Sequence, residues 1–161
     1  MASSSPVRPL PQDRPAVGQL LVRLLHRFRR EVFEVAQERG FGDIREAHLQ
    51  VFGNVGVDGI RLTALAARAN LSLAAAAELV DDLQRRGYLE RVPDPTDGRA
   101  RLIRPTPRGR EALAVAGHRV AEIETRWGDI VGATEFDEAC RTLDRLLAVL
   151  DAEADRPDRP R

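Results

Sequence analysis

The sequence predicts a mostly α fold with one small β-wing, and three observations predict it. Apolar residues recur at spacings of three and four near both ends of the chain, the period of helices with one buried stripe. Two short helical segments in the middle are separated by Asn70 and Leu71 alone, a link brief enough for a helix-turn-helix. Behind them, the stretch RRGYLERVPDPTDGRARLIRPTPRG alternates like a two-stranded ribbon around a Pro-Thr-Asp-Gly turn.

Each element follows from local chemistry. From about Ala16 to Arg39, Leu21, Leu25, Phe28, Val32 and Val35 form one helical stripe, ended by Gly40 and Gly42. A second helix is expected from Asp43 to about Gly53, with Ile44, Ala47, His48 and Val51 on one side. The loop NVGVDG leads to Arg61-Leu62-Thr63 and to helices at roughly Leu62 to Ala69 and Ser72 to Arg86. Ser72 is a good N-cap, since its hydroxyl can accept from an amide two or three residues on, and Gly87 is a natural stop. In the ribbon, Tyr88, Glu90 and Val92 oppose Leu89 and Arg91, while Arg101, Ile103 and Pro105 oppose Leu102 and Arg104. Asp94, Pro95, Asp97 and Gly98 favour a tight turn, which sets Arg99 and Arg101 at or beside an exposed tip. Thr106 caps a helix with Pro107 in its first turn and Leu113, Ala116, Val120, Ile123, Trp127 and Ile130 along its seam. Phe136, Ala139, Leu143, Leu146 and Leu150 mark a last helix from about Thr134 to Ala152. More apolar stripe is present than a small domain needs, and a homodimer would hide the surplus.

Composition narrows the function. A chain of 161 residues suffices for one compact domain with helical extensions, and 43% hydrophobic with 31% charged residues describes a soluble globular protein. No apolar run approaches the ~20 residues of a membrane span. Residues 1–15 and 153–161 read as flexible tails, the first lacking the apolar core of a signal peptide. A single cysteine excludes an internal disulfide and makes cytoplasmic residence the expectation. The chain is neutral, with 25 basic and 25 acidic residues, yet between Arg85 and Arg110 eight arginines face three acids, so the charge is polarised. An uneven field of this kind steers a polyanion to one face.

The sequences LTALAARANLS, LVDDLQRRGYLERVPDPTDGRARLI and TPRGREAL, in this order, resemble the MarR family of winged-helix transcriptional regulators. The resemblance runs from about Ala16 to Ala152 and implies a winged helix-turn-helix flanked by N- and C-terminal dimerisation helices. It implies five parts: a tail over 1–15, N-terminal helices over 16–57, a DNA-binding domain over 58–106, dimerisation helices over 107–152, and a tail over 153–161. By the same resemblance, Ser72 to about Val80 forms the groove-facing half of a recognition helix, Arg99 is the wing-tip arginine and Asp97 the acid that holds its turn. Arg61, Thr63, Ser72, Ala74, Ala75, Asp97, Arg99 and Arg101 are thus the expected contacts to double-stranded DNA. A wing arginine suits a narrow minor groove, and the amide ends of the helices near Thr63 and Ser72 suit phosphates. The expected function is a homodimeric, ligand-responsive repressor on a palindromic operator.

One departure stands out. The recognition helix opens Leu73-Ala74-Ala75-Ala76-Ala77, and alanine cannot make the bidentate bonds that discriminate guanine or adenine. Asp81 and Asp82 add repulsion if they face the duplex. A second reading therefore stays open, a helical dimer that acts through a protein partner or binds DNA with little specificity.

The remaining chemistry is sparse. His26, His48 and His118 fall on three different helices, and no metal site or cofactor is expected. A crevice for a small aromatic or anionic effector, as the resemblance implies, would be lined by Arg23, Arg45 and His48. Cys140 reads as a buried inert thiol and Trp127 as a core or interface anchor. There is no Gly-rich phosphate loop, no G-x-S-x-G elbow and no clustered His/Asp/Glu motif, so an enzyme is not expected.

Overall fold

The computed structural model describes residues 10–154, which form six helices and a three-stranded antiparallel sheet. The tails expected over 1–15 and 153–161 lie for the most part outside the described residues. In chain order the elements are α1 (Val17–Glu38), α2 (Glu46–Phe52), β1 (Ile60–Arg61), α3 (Leu62–Arg68), α4 (Leu73–Arg85), β2 (Leu89–Asp94), β3 (Asp97–Pro105), α5 (Pro107–Val131) and α6 (Ala133–Ala154). Two compact units result, one running to Gly117 and the other from His118, so that the division falls within α5 and not at its start.

In the first unit, one apolar core holds the helix-turn-helix and the sheet together. Phe41, Ile44, Val51, Phe52, Leu65, Val80, Leu83, Tyr88, Leu89 and Ile103 are all buried in it. Phe41 and Phe52 meet the Tyr88 ring edge-on at centroid distances of 6.2 and 5.8 Å, a geometry that aligns the positive ring edge with the negative face. The turn between α3 and α4 is closed by Asn70, whose φ of 52° puts it in the left-handed region, and by the Leu71 amide donating back to the Ala66 carbonyl. Ser72 then caps α4, its Oγ accepting from the Ala75 amide at 3.2 Å.

Three expectations change. Helix α2 begins at Glu46, three residues late, because the Arg45 amide donates to His48 Nδ1 at 3.0 Å and ends the helix there. Tyr88 precedes β2 and is buried beside Leu89, so the first half of the ribbon does not alternate from its first residue. The ribbon is also wider than two strands, since β1 pairs with β3 through Ile60↔Ile103 and Arg61↔Leu102, giving the order β1-β3-β2.

The Thr-Pro-Arg-Gly segment joins the sheet to α5. Thr106 Oγ1 accepts from the Gly109 amide at 3.1 Å, and the Thr106 amide donates to the Tyr88 carbonyl at 3.0 Å. A Cβ on Gly109 would lie 2.0 Å from that same carbonyl oxygen, so only glycine allows this approach. In the second unit, Trp127 of α5 and Phe136 of α6 meet edge-to-face at 6.5 Å across Gly132, whose φ is 102°.

Candidate nucleic-acid interface

The wing is set by one buried carboxylate. Asp94 Oδ1 accepts from the Thr96 amide at 2.8 Å and from its hydroxyl at 2.7 Å, closing the turn locally as aspartate at a turn's first position does. Its Oδ2 accepts from Arg61 Nε at 2.8 Å and Nη2 at 2.6 Å, which ties the turn to β1. The Thr96 bonds first, and then Arg61, hold the Asp94 carboxyl down to about 2. Asp97 has the lesser part, its Oδ1 accepting from the Arg99 amide at 3.2 Å while Oδ2 stands 3.6 Å from Arg61 Nη2.

This clamp decides where the arginines go. Pro93 pairs with Arg101, but the next residue, Asp94, pairs with Asp97, so Gly98, Arg99 and Ala100 bulge from the ladder without partners. Arg99 is the middle residue of that bulge, and both Arg99 and Arg101 are exposed. Most other arginines of the basic stretch are spent internally. Arg85 and Arg86 pair with Asp82, Arg91 with Asp81, Arg104 with Glu90 and Arg108 with Asp43, while Arg110 donates to the Pro105 carbonyl. Among the described residues, the side chains of Arg99 and Arg101 have no such partner. Arg99 and Arg101 thus stay free on the wing, while Arg110 is held only by a carbonyl and Arg85 and Arg86 share the Asp82 carboxylate with Arg45.

Helix α4 turns its apolar side inward. Ala76, Val80 and Leu83 are fully buried, whereas Leu73, Ala74, Glu78 and Asp81 are exposed, and Ala75 is half-buried. Thr63, on the first turn of α3, is exposed, as is Ser72 at the start of α4. Asp82 does not face outward. It is buried at the centre of a polar cluster, accepting from His48 Nε2 at 2.9 Å and Arg85 Nη2 at 3.1 Å, with Arg86 Nε at 3.2 Å and Arg45 Nη2 also on its Oδ2. Burial opposes its ionisation, but the bonds from Arg86, His48 and Arg85 and the charge of Arg45 win and hold it well below the usual carboxylate range.

The residues expected around an effector are therefore placed unequally. His48 is 0% exposed, and with Nδ1 accepting from the Arg45 amide its ring proton sits on Nε2 and goes to Asp82. Burial, ahead of its neighbours, lowers its pKa, so the ring is neutral near pH 7. Arg45 is bound to Asp82 yet leaves most of its side chain in solvent. Arg23 lies on α1 in a shallow open groove with Pro15, Gly18, Gln19 and Val22, and the described structure brings it together with neither of the other two. Cys140 is exposed on α6, not buried, because the apolar residues around it there are themselves exposed. No three His, Cys, Asp or Glu side chains among the described residues stand close enough to hold a metal ion.

One buried carboxylate and one polar triad escaped the sequence reading. The sequence marks Asp94 only as a turn former, because its partner Arg61 stands 33 residues earlier, at the N-cap of α3. The Asp43–Tyr88–Arg108 triad spans 65 residues of sequence and leaves no local signal. In it Tyr88 donates to Asp43 Oδ1 at 2.5 Å, and Arg108 donates to the phenol oxygen at 2.9 Å with its guanidinium 4.5 Å from the ring centre. Burial and the bond to Asp43 push the Tyr88 phenol up to about 12.

A sequence model described as the MarR family matches residues 43–100, which spans α2 through the wing bulge. Comparison with curated protein sequences gives no match. Among solved structures, a MarR-family transcriptional regulator from Rhodococcus sp. RHA1 is 26% identical, over 81% of this chain and 91% of that one, with a TM-score of 0.65. The PcaV transcriptional regulator of Streptomyces coelicolor, solved with its natural ligand, is also 26% identical, over 85% and 93%, at 0.58. CouR of Rhodococcus jostii RHA1, solved with p-coumaroyl-CoA, shares the fold at 24% identity, over 96% and 100%, with 0.65. CouR has also been solved as a repressor on a 23-mer DNA duplex.

Proposed function

Starting from a chain that carries the winged helix of the MarR family of transcriptional regulators, we propose that it binds duplex DNA as a homodimer and represses transcription from a palindromic operator. One observation carries this reading: Arg99 on the exposed wing bulge and Arg101 beside it in β3 have no acidic partner among the described residues, and the base of the wing is clamped by Asp94 and Arg61. A weakly hydrated planar cation on a braced loop suits the negative potential of a narrow minor groove. Thr63 and Ser72, exposed on the first turn of α3 and at the N-cap of α4, are positioned for phosphates. The DNA complex of CouR supports the same use of the fold.

The dimer reading rests on surplus apolar surface. On α1, Val17, Leu21, Val22 and Leu25 are exposed, and on α6 so are Leu143, Leu146, Leu147 and Leu150. Exposed patches of this kind on a soluble chain are interaction sites. Two copies related by a two-fold axis would read half-sites about one duplex turn apart. No described helix is long and apolar enough to cross a membrane.

Release by a small aromatic or anionic effector completes the proposal, supported by the ligand complexes of PcaV and CouR. Arg45 is the residue of choice on this chain, since its exposed guanidinium already holds Asp82 of α4, and an anion that drew it away would loosen that helix. Arg23 and His48 have smaller parts, the first on an open groove and the second as a buried brace of Asp82. A second reading, DNA binding with little sequence preference, is favoured by the apolar and acidic exposed face of α4.

Fluorescence anisotropy against duplexes from the DNA flanking its own gene, and against scrambled duplexes, at several salt concentrations tests the proposal. Binding that weakens steeply with salt and favours the flanking DNA is expected. An absence of binding to every duplex at low salt contradicts it.

A further inference from the structure

The exposed face of α4 has chemistry of its own. From Leu73 to Glu78 no side chain carries a hydrogen-bond donor, and the Ser72 hydroxyl just before them serves as the cap. Because Ala76 and Val80 are buried, the helix rotation is fixed, and Leu73, Ala74 and Glu78 are left outermost with Ala77 half-buried between them. Leu73 is 51% exposed although it is a large apolar residue on the first turn. Asp81, the next outward carboxylate, is held by Arg91 at 2.6 Å and turned toward the sheet.

Such a face cannot donate to guanine O6 and N7 or to adenine N7. What the major groove offers it are the C5-methyl of thymine and the amino groups of cytosine N4 and adenine N6, and of the two amino groups only adenine's lies beside an acceptor, N7, that repels a carboxylate. An apolar side chain gains from the methyl group, and a glutamate accepts from the cytosine amino group. We infer that this recognition helix reads pyrimidines, with Leu73, Ala74 and Ala77 against thymine methyl groups and Glu78 against a cytosine amino group. The inference rests on the DNA-binding reading above and specifies its sequence preference. It also resolves the tension between a helix poor in polar contacts and a regulator with a defined operator. Specificity here comes from apolar contact and from an acceptor, so the positive charge needed for affinity is supplied elsewhere, by the wing.

The test begins with selection of bound sequences from a random duplex library by the full-length protein, followed by anisotropy on the selected duplex. Thymine in each half-site is then replaced by deoxyuridine, which removes only the methyl group. Burying one methyl-sized group is worth about 0.8 kcal/mol, so each contacted methyl should cost about fourfold in affinity. Leu73→Ala should weaken binding to the thymine duplex and shrink the deoxyuridine penalty. Glu78→Gln should shift the selected base at one position from cytosine to adenine, because glutamine bonds adenine N6 and N7. Leu73 and Glu78 are exposed, so both variants keep the core. Deoxyuridine duplexes bound as tightly as their parents, with an unchanged Glu78→Gln motif, overturn the inference while leaving DNA binding intact. Failure to bind any duplex overturns the DNA-binding reading itself, and this inference with it.

Discussion

Single residues carry more of this fold than their frequency suggests, and the one tyrosine of the chain is the clearest case. Tyr88 is buried at the meeting point of α2, the sheet and α5, and its phenol is pushed up to about 12 by burial and by donation to Asp43. A folded-state value raised above the ordinary 10 means that the neutral phenol stabilises the fold. That contribution is complete below pH 10 and is lost as pH rises from 10 through about 12. Ultraviolet titration should accordingly show a single phenolate transition near pH 12 in the native protein and near pH 10 in denaturant; a native midpoint at 10 would remove the Asp43 bond from the account. Gly109 offers a second check. Its absent side chain lets α5 meet the Tyr88 carbonyl, so Gly109→Ala should destabilise the protein by roughly 1–3 kcal/mol in chemical denaturation, the usual cost of overpacking. Neither role could be read in the sequence. Tyr88 and Asp43 meet only because the chain returns after 45 residues, and periodicity records faces but not partners.

At the scale of elements, local signals were faithful except at the start of α2, where the Arg45–His48 cap went unread, and paired ones were not. The helix ends at Ser72, Gly87 and Thr106 were visible because capping is chemistry between residues two or three apart. Strand β1 was hidden, since two residues, Ile60 and Arg61, show no alternation and are extended only by pairing with β3. The same distance hid the clamp of Arg61 on Asp94, and with it the contact that ties the wing turn to β1. Arg61 was expected on DNA, and the structure commits two of its nitrogens to the turn. Asp94→Asn should release both the turn and β1, speed hydrogen exchange at the Thr96 amide and weaken duplex binding roughly tenfold, a loss of about 1.4 kcal/mol. Unchanged exchange in that variant would show that the turn holds without its carboxylate. The pH sense is fixed by the depressed Asp94 value of about 2. Its contribution to the wing is complete above pH 4 and lost as pH falls from 4 toward 2, which amide exchange in the wing can follow.

For the whole molecule, the seams of apolar residues near the ends of the chain were legible, but the surface they serve is a matter for a second copy. Leu146 and Leu150 are 53% and 48% exposed on α6, and replacing both by aspartate should convert a dimer into a soluble monomer in sedimentation velocity. A monomeric parent protein at micromolar concentration would contradict the dimer. Charge belongs to the same scale. A neutral chain presents an uneven field, and internal pairing sharpens it further, leaving Arg99 and Arg101 free among the described residues. The wing carries the proposed DNA binding. Affinity for a bound duplex, measured against salt concentration for the parent and for Arg99→Ala, is its most direct test. Loss of one cation per protomer should weaken binding and flatten the slope of log K against log salt by about two per dimer. An unchanged affinity and an unchanged slope would mean that DNA, if bound at all, is held somewhere other than the wing.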